Sequence, residues 1–254
     1  FKADLTIDDL IEFGSLNEEI KEAIKACIRA RMSIVVSGGT GSGKSTFLNA
    51  ISTFVHPKLS IIAIENPLEL QLDHPRVRSW EARPANIEGK GEIDMLALVI
   101  SALRSRPDII IVGEVRGSEA FALMQALNTG HDGSMTTLHA NNTAEAMQRL
   151  ISMVTSAGQL SSDLVPAFVA SGIDIVIQLS RMPDGSRKLV EVAEVVGEEG
   201  GRVKTNPLVE YKIDKFDGEK VEGHWIRTEN EFMRKGKFAD MGIEFNGWLG
   251  EDKK

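Results

Sequence analysis

At 254 residues and 27.8 kDa, the chain has room for one sizeable α/β domain, or a domain with a small extension. Its 42% hydrophobic and 26% charged residues are the proportions of an ordinary globular protein, and a net charge of −8 (pI near 5.3) argues against a surface devoted to DNA or RNA, which needs a basic field. A single cysteine, Cys27, excludes an intrachain disulfide, and no apolar run approaches the ~18 residues of a membrane helix.

The chain opens on Phe1 and reads at once as a helix lead-in, so a fragment lacking an N-terminal portion is expected. Leu5 to Phe13 is a short helix candidate, with Thr6 placed to cap it and Asp9 three residues on. Ser15 opens a second helix, with Glu18 at the matching capping position. Its apolar stripe runs through Leu16, Ile20, Ala23, Ile24, Cys27 and Ile28. Residues 1–30 are therefore a helical lead-in or linker.

Then the texture changes. Short β-type runs begin at Ser33, Ile61, Ile109, Met135 and Ile175. Between them lie a helix from Lys44 onward and helical stretches at Met95–Leu103, Glu119–Leu127 and Ala144–Met153. Apolar strands alternating with helices predict a largely parallel sheet covered on both faces over residues 31–180. After Ser180 the pattern becomes β-rich. Pro183-Asp184-Gly185 is a turn, Lys188–Val196 is extended, Gly197–Gly201 turns, and Asp217-Gly218 closes another hairpin. Residues 181–254 are expected to form a β-rich extension with a short terminal helix and a flexible charged end, Glu251–Lys254.

The segment Gly38-Gly39-Thr40-Gly41-Ser42-Gly43-Lys44-Ser45 fills every position of G-x-x-x-x-G-K-[ST], with a strand before it and a helix after it. The glycines let backbone amides wrap closely around oxygen atoms, and the helix N-terminus faces the same phosphates. Lys44 supplies charge to the β- and γ-phosphates of ATP, Ser45 a hydroxyl for Mg²⁺, and Thr46 fixes the first helical turn or touches the α-phosphate. Hydrolysis also needs an acid near metal and water. Ile109–Val112 runs through Gly113 into Glu114, at the carboxyl end of a strand, where open α/β sheets place ligands. Glu114 is the first choice to polarise the attacking water. The usual acid of such a strand would sit one position earlier, where Gly113 stands, so Mg²⁺ falls to Ser45 and waters, with Glu114 reaching it through water. Its structural alternative is an acid favouring the next helix dipole. Glu65 ends the strand Ile61–Ile64 and can approach the same cation; the alternative is an exposed loop acid. Which of the two is the base stays open. His139 ends the strand Met135–Leu138, where it can sense a γ-phosphate; His131 precedes that strand, and the two lack the spacing of a zinc pair. Arg76, Arg78, Arg83, Arg104, Arg106 and Arg116 complete the inventory of charges that could neutralise a transition state.

These segments occur in the order Walker A, Asp box (Ile64–Leu70), atypical Walker B (Leu103–Gly117) and His box (Thr129–Asn141), and so resemble the secretion-superfamily ATPases of type II and type IV secretion and type IV pili. Finer detail resembles the CpaF/TadA branch, which assembles tight-adherence (Flp) pili: Arg83–Glu92, Arg106–Asp108, Gly113–Gly117 and Gly130–Ser134. The likeness runs from about Leu5 to Val196. It implies a RecA-like P-loop ATPase core, working as a homo-hexamer with ATP between subunits. It further implies a place at the cytoplasmic face of the inner membrane, action on integral-membrane platform proteins, and an N-terminal domain that closes over the nucleotide. Carried over by residue, Lys44 and Ser45 hold phosphate and Mg²⁺, Glu114 is the catalytic acid, Glu65 the first Asp-box acid, and His139 and His131 the His-box pair. Arg78, Arg83 and Arg104 are candidates for charge sensing. Asn66 stands where the Asp box is usually acidic, which moves weight to Glu65 and Glu69. The competing readings are a type IV conjugation or effector-export ATPase, a RecA-like nucleic-acid motor, and a nucleotide-sensing regulator.

Overall fold

The computed structural model describes residues 5–249; the expected flexible end Glu251–Lys254 lies outside them. Two helices lead in. In α1 (Ile7–Glu12), Thr6 and Asp9 form a reciprocal capping box, as their spacing predicts. Helix α2 (Glu18–Arg29) is capped by Asn17, whose side chain accepts from the Ile20 amide at 2.9 Å, and not by Ser15. Ser15 is instead spent on the turn, its amide bonded to Leu10 and its carbonyl accepting from Leu189. Cys27 is fully buried on the α2 stripe, and burial pushes its thiol far above the usual range.

The chain then alternates β1 (Ile34–Gly38), α3 (Lys44–Ser52), β2 (Ile61–Glu65), β3 (Val77–Glu81), α4 (Met95–Arg104), β4 (Ile109–Val112), α5 (Glu119–Leu127), β5 (Met135–Leu138), α6 (Thr143–Ser156), α7 (Val165–Gly172) and β6 (Ile175–Arg181). Strands β7 (Arg187–Glu199), β8 (Arg202–Phe216) and β9 (Val221–Arg227) follow, then a short α8 (Gly236–Asp240). One nine-stranded sheet has the order β3-β2-β4-β5-β1-β6-β7-β8-β9. It is parallel from β3 to β6 and antiparallel from β6 to β9, so the expected α/β core and β-rich extension share a single hydrogen-bonded sheet.

Side-chain alternation divides the core into two layers. Ile34 and Val36 of β1 face α1–α3 and the C-terminal segment, whereas Val35 faces the layer of α4–α7. Strand β3 lies outside the sequence reading because Val77-Arg-Ser-Trp-Glu carries no apolar run; it is an edge strand paired only with β2. Helix α7 is short and apolar all round, with a proline in its first turn, so it offers no amphipathic period. The turn expected over Gly197–Gly201 is confined to Gly200 and Gly201; Gly197 sits at a bulge in the β7–β8 pairing.

Two fully buried carboxylates tie the C-terminal segment to the sheet. Asp174 accepts from Arg234 Nη1 (2.6 Å), Lys237 Nζ (2.7 Å) and the Ser33 amide (2.8 Å). Glu194 accepts from Asn206 Nδ2 (2.7 Å) and the amides of Met233 (2.9 Å) and Arg234 (3.2 Å). In the β6–β7 turn, Asp184 accepts from Ser186 and from the Val221 amide at the start of β9, which lowers its carboxyl to about 2.

Candidate functional site

Parallel strands all release the chain at one edge of the sheet, so the ends of β1, β2, β4 and β5 deliver their next residues to a common place. There a cleft of about 640 Å³ is lined by Thr40, Lys44, Ser45, Glu65, Glu114 and His139, among others. Helix α3 forms its floor. Helices α1, α2, α4 and α6 each have a side chain bonded to their first-turn amides. Helix α3 has none, as α5, α7 and α8 have none, but among these its cap alone is a glycine, Gly43 at φ +93°, a conformation that favours glycine. Its N-terminal amides are therefore left for an anion.

Lys44 Nζ lies over the loop, donating to the carbonyls of Gly38 (3.1 Å) and Gly39 (3.2 Å). Burial lowers its pKa, and Glu114 opposes the shift. Nζ also lies 3.4 Å from His139 Nδ1, while His139 Nε2 is 2.9 Å from Glu114 Oε1. Burial and then the Lys44 charge hold the imidazole pKa below its ordinary value. The neutral ring consistent with both contacts donates from Nε2 to Glu114 and offers Nδ1 to Lys44. The other Glu114 oxygen, Oε2, accepts from Arg116 Nη2. The loop carrying Glu114 is fixed by Thr137, whose hydroxyl donates to the Gly113 carbonyl, and by Glu119, which accepts from the amides of Arg116 and Gly117.

Glu65 is 3% exposed, so the exposed-loop alternative does not hold. Its Oε2 accepts from the amides of Glu69 and Leu70, both at 2.9 Å, while Oε1 is buried without a partner. Burial raises its pKa against those two hydrogen bonds. The atypical Gly113 is explained by this packing: a Cβ there would stand 2.7 Å from Glu65 Cγ. Glu65 thus occupies, from the neighbouring strand, the space of the missing β4 side chain. The Ser45 hydroxyl donates to Glu69 Oε2 at 3.1 Å, so Glu69, and not Glu114, is the carboxylate beside that hydroxyl. Asn66 lines the cleft next to Glu65, through a cis bond to Pro67.

The remaining predicted residues are elsewhere. His131 lies at the opposite end of β5, about 13 Å of strand away from His139, with its ring against the Ala126 carbonyl that ends α5. Arg78 is on the edge strand β3, Arg83 bonds the Gly91 carbonyl in an exposed loop, and Arg104 ends α4; none lines the cleft. Arg116, one of the arginines inventoried from the sequence, does reach it, and a residue outside that inventory touches its loop. Arg116 lines the cleft, and Arg187, entering from β7, donates to the Gly41 carbonyl (3.3 Å) and to the Gly185 carbonyl (3.2 Å). Arg116 stands two residues from Glu114 and was legible by proximity; Arg187, some 140 positions from the loop it touches, had no signal in the sequence.

No cluster of three metal-binding side chains occurs among the described residues. Nucleotide-bound Mg²⁺ does not need one, since phosphates and waters supply most of its ligands. Ser45, Glu69 and the unpartnered Glu65 oxygen are hard oxygen donors beside an uncapped helix N-terminus, and they fit a Mg²⁺–triphosphate.

Residues 2–196 match the family model described as type II/IV secretion system protein. A putative conjugal transfer protein of Mycobacterium tuberculosis is 38% identical over 191 residues, covering 75% of this chain and 54% of its own length. The conjugal transfer protein TrbB of Rhizobium radiobacter is 32% identical over 210 residues, covering 83% and 62%. This chain thus spans little more than half the length of these relatives. Among solved structures, the VirB11 ATPase of the Brucella suis type IV secretion system, in complex with sulphate, superposes with a TM-score of 0.60 at 25% identity over 76% of this chain and 65% of its own. The pilus retraction motor PilT with bound ADP shares the fold, with a TM-score of 0.55 at 24% identity over 74% and 53%. The finer likeness to the CpaF/TadA branch is not among these: the curated relatives cited carry conjugal-transfer names.

Proposed function

We propose, from the premise that this chain belongs to the type II/IV secretion system protein family, that it binds ATP with Mg²⁺ and hydrolyses it to drive a secretion or pilus machine. The observation that carries this is the convergence of the uncapped α3 N-terminus, Lys44 and the Glu114–His139 pair on one cleft. The α3 amides and Lys44 would hold the β- and γ-phosphates; Ser45, Glu69 and Glu65 would hold the cation, whose charge offsets that of the phosphates. Glu114 accepts the proton of the attacking water as its oxygen bonds to the γ-phosphorus, and the bond to the bridging oxygen breaks, leaving ADP. His139 orients the Glu114 carboxylate through Oε1. Arg116, whose side chain is 66% exposed, takes one lone pair of Oε2 and leaves the other for the proton.

Steady-state ATP hydrolysis, measured across protein concentration beside Glu114→Gln, tests the assignment. Turnover that rises with concentration and vanishes in the variant, with nucleotide binding kept, supports an oligomeric ATPase. Normal turnover in the variant removes Glu114 as the base.

The names of the relatives favour a type IV machine that exports DNA or protein. The segments Arg83–Glu92 and Gly130–Ser134 support instead a motor for tight-adherence pili, acting as a homo-hexamer on inner-membrane platform proteins. Co-purification with small prepilin-assembly membrane proteins, against DNA-processing enzymes, separates the two. Stimulation by single-stranded DNA would point away from both, to a nucleic-acid motor.

A further inference from the structure

A second cleft, of about 450 Å³, lies against the same Glu114–His139 wall on the side of α6. It shares with the nucleotide cleft only Glu114, Arg116 and His139. We propose that this second cleft is a binding site for inorganic phosphate, through which the anion released by hydrolysis leaves. The inference rests on the hydrolytic reading for the source of the anion, but not for the site itself.

Arg149 carries the argument. Its Nε is held by Glu145 Oε1 at 2.9 Å, one helical turn back, which fixes the side chain over the cleft. Its two terminal nitrogens have no acceptor among the described residues. A guanidinium anchored through Nε presents those two nitrogens as a planar fork, the geometry that phosphate accepts. Arg116 lines both clefts, and its side chain has one acceptor, Glu114 Oε2. Two guanidiniums therefore face one lining carboxylate, Glu114, both of whose oxygens are already engaged. The shared His139 already has both ring nitrogens engaged, Nε2 with Glu114 and Nδ1 with Lys44, so the guanidiniums are the groups left for the anion.

The direction follows from the geometry. Once the bond between the γ-phosphorus and the bridging oxygen has broken, the diphosphate would still cover the loop amides, so the P-loop side is closed to the leaving phosphate. The open neighbour is the cleft beyond Glu114. Arg116 exchanges one oxyanion for another when it turns from Glu114 to the phosphate, and Arg149 receives it on the far side.

The test is titration of inorganic phosphate into the ADP-loaded chain, followed by calorimetry or ³¹P resonance, for wild type, Arg149→Gln and Arg149→Lys. The expected result is phosphate binding weakened ~10-fold or more in Arg149→Gln, the scale of a charged hydrogen-bond partner, with ADP affinity unchanged and partial recovery in Arg149→Lys. Phosphate inhibition of steady-state hydrolysis weakens by the same factor. Should Arg149→Gln fail to fold, Ser152→Glu places a negative charge in the same cleft from an exposed helix position and must weaken phosphate likewise. Equal phosphate affinity in wild type and variants, no phosphate binding to the ADP-loaded wild type, or loss of ADP together with phosphate each overturns the proposal. A chain that binds phosphate through Arg149 yet never hydrolyses ATP keeps the site and defeats the hydrolytic reading instead.

Discussion

The two halves of the sheet use buried polar groups in opposite ways. In the antiparallel half, Asp174 and Glu194 are saturated: six bonds from Arg234, Lys237, Asn206 and three backbone amides account for them. In the parallel half, Glu65 Oε1, Ser42 Oγ, Ser37 Oγ and Gln178 Oε1 are buried and unpartnered; in the C-terminal segment Trp248 Nε1 is the one such atom among the described residues. Leaving such atoms unpaired costs about 1–3 kcal/mol each, so a fold keeps them where a ligand, ion or water completes them. Among Asp174, Glu194 and Glu65, satisfaction marks the scaffold and the unpartnered oxygen marks the cleft.

Four changes break or sharpen that contrast. The largest effect is expected from Lys44→Ala, which removes the cation facing the phosphates and lowers kcat/KM on the order of 10³–10⁵-fold, read by ATP turnover, with the melting temperature little changed. Asp174→Ala does the reverse: it takes the ion-pair partner from Arg234, leaves Lys237 with Asp132 alone at 3.8 Å, and costs about 3 kcal/mol in urea denaturation, with nucleotide affinity of the folded protein retained. Gly113→Ala brings the halves together at one position, since its Cβ meets Glu65 Cγ at 2.7 Å. It should cost about 1–3 kcal/mol, and Glu65→Asp in the same chain should return part of the loss, a non-additivity that a double-mutant cycle measures. The smallest effect is the pH dependence of Glu65. Its folded pKa lies above the ordinary 4.5, so the folded state holds this proton more tightly than the unfolded one. The resulting stability is full below pH 4.5 and is lost as pH rises through the folded pKa. The unfolding free energy of wild type minus that of Glu65→Gln should therefore fall over that window; a flat difference removes the shift.

The parallel half was legible where a strand is a short apolar run, ended by glycine at β1 and β4 and by Glu65 at β2; β3 has no such run and escaped the reading. The P-loop, Glu65, Glu114 and His139 stand where the reading put them. What escaped it depends on distance in the chain. That Gly113 makes room for Glu65, that Glu69 and not Glu114 reaches Ser45, and that Arg187 meets Gly41 all follow from strand order, which spacing does not encode. The two His-box histidines look equivalent in sequence, yet they lie at opposite ends of one four-residue strand. The arginines favoured from sequence, Arg78, Arg83 and Arg104, sit on an edge strand, a loop and a helix end, and none of them lines the cleft. The branch-level resemblance rests in part on the loop Arg83–Glu92, whose tip is fully exposed at Ile87, where packing constrains identity least.

Arg187 gives the P-loop a mechanical attachment. The Gly41 carbonyl is bonded to Arg187, Arg187 to the Gly185 carbonyl, and the same turn, through Asp184, to the Val221 amide where β9 begins. The nucleotide loop and the outer β8–β9 hairpin are thus two ends of one linkage, coupled across the sheet's antiparallel edge without passing through the hydrophobic core. A displacement of the Gly41 carbonyl therefore either carries the hairpin with it or opens one of these three bonds.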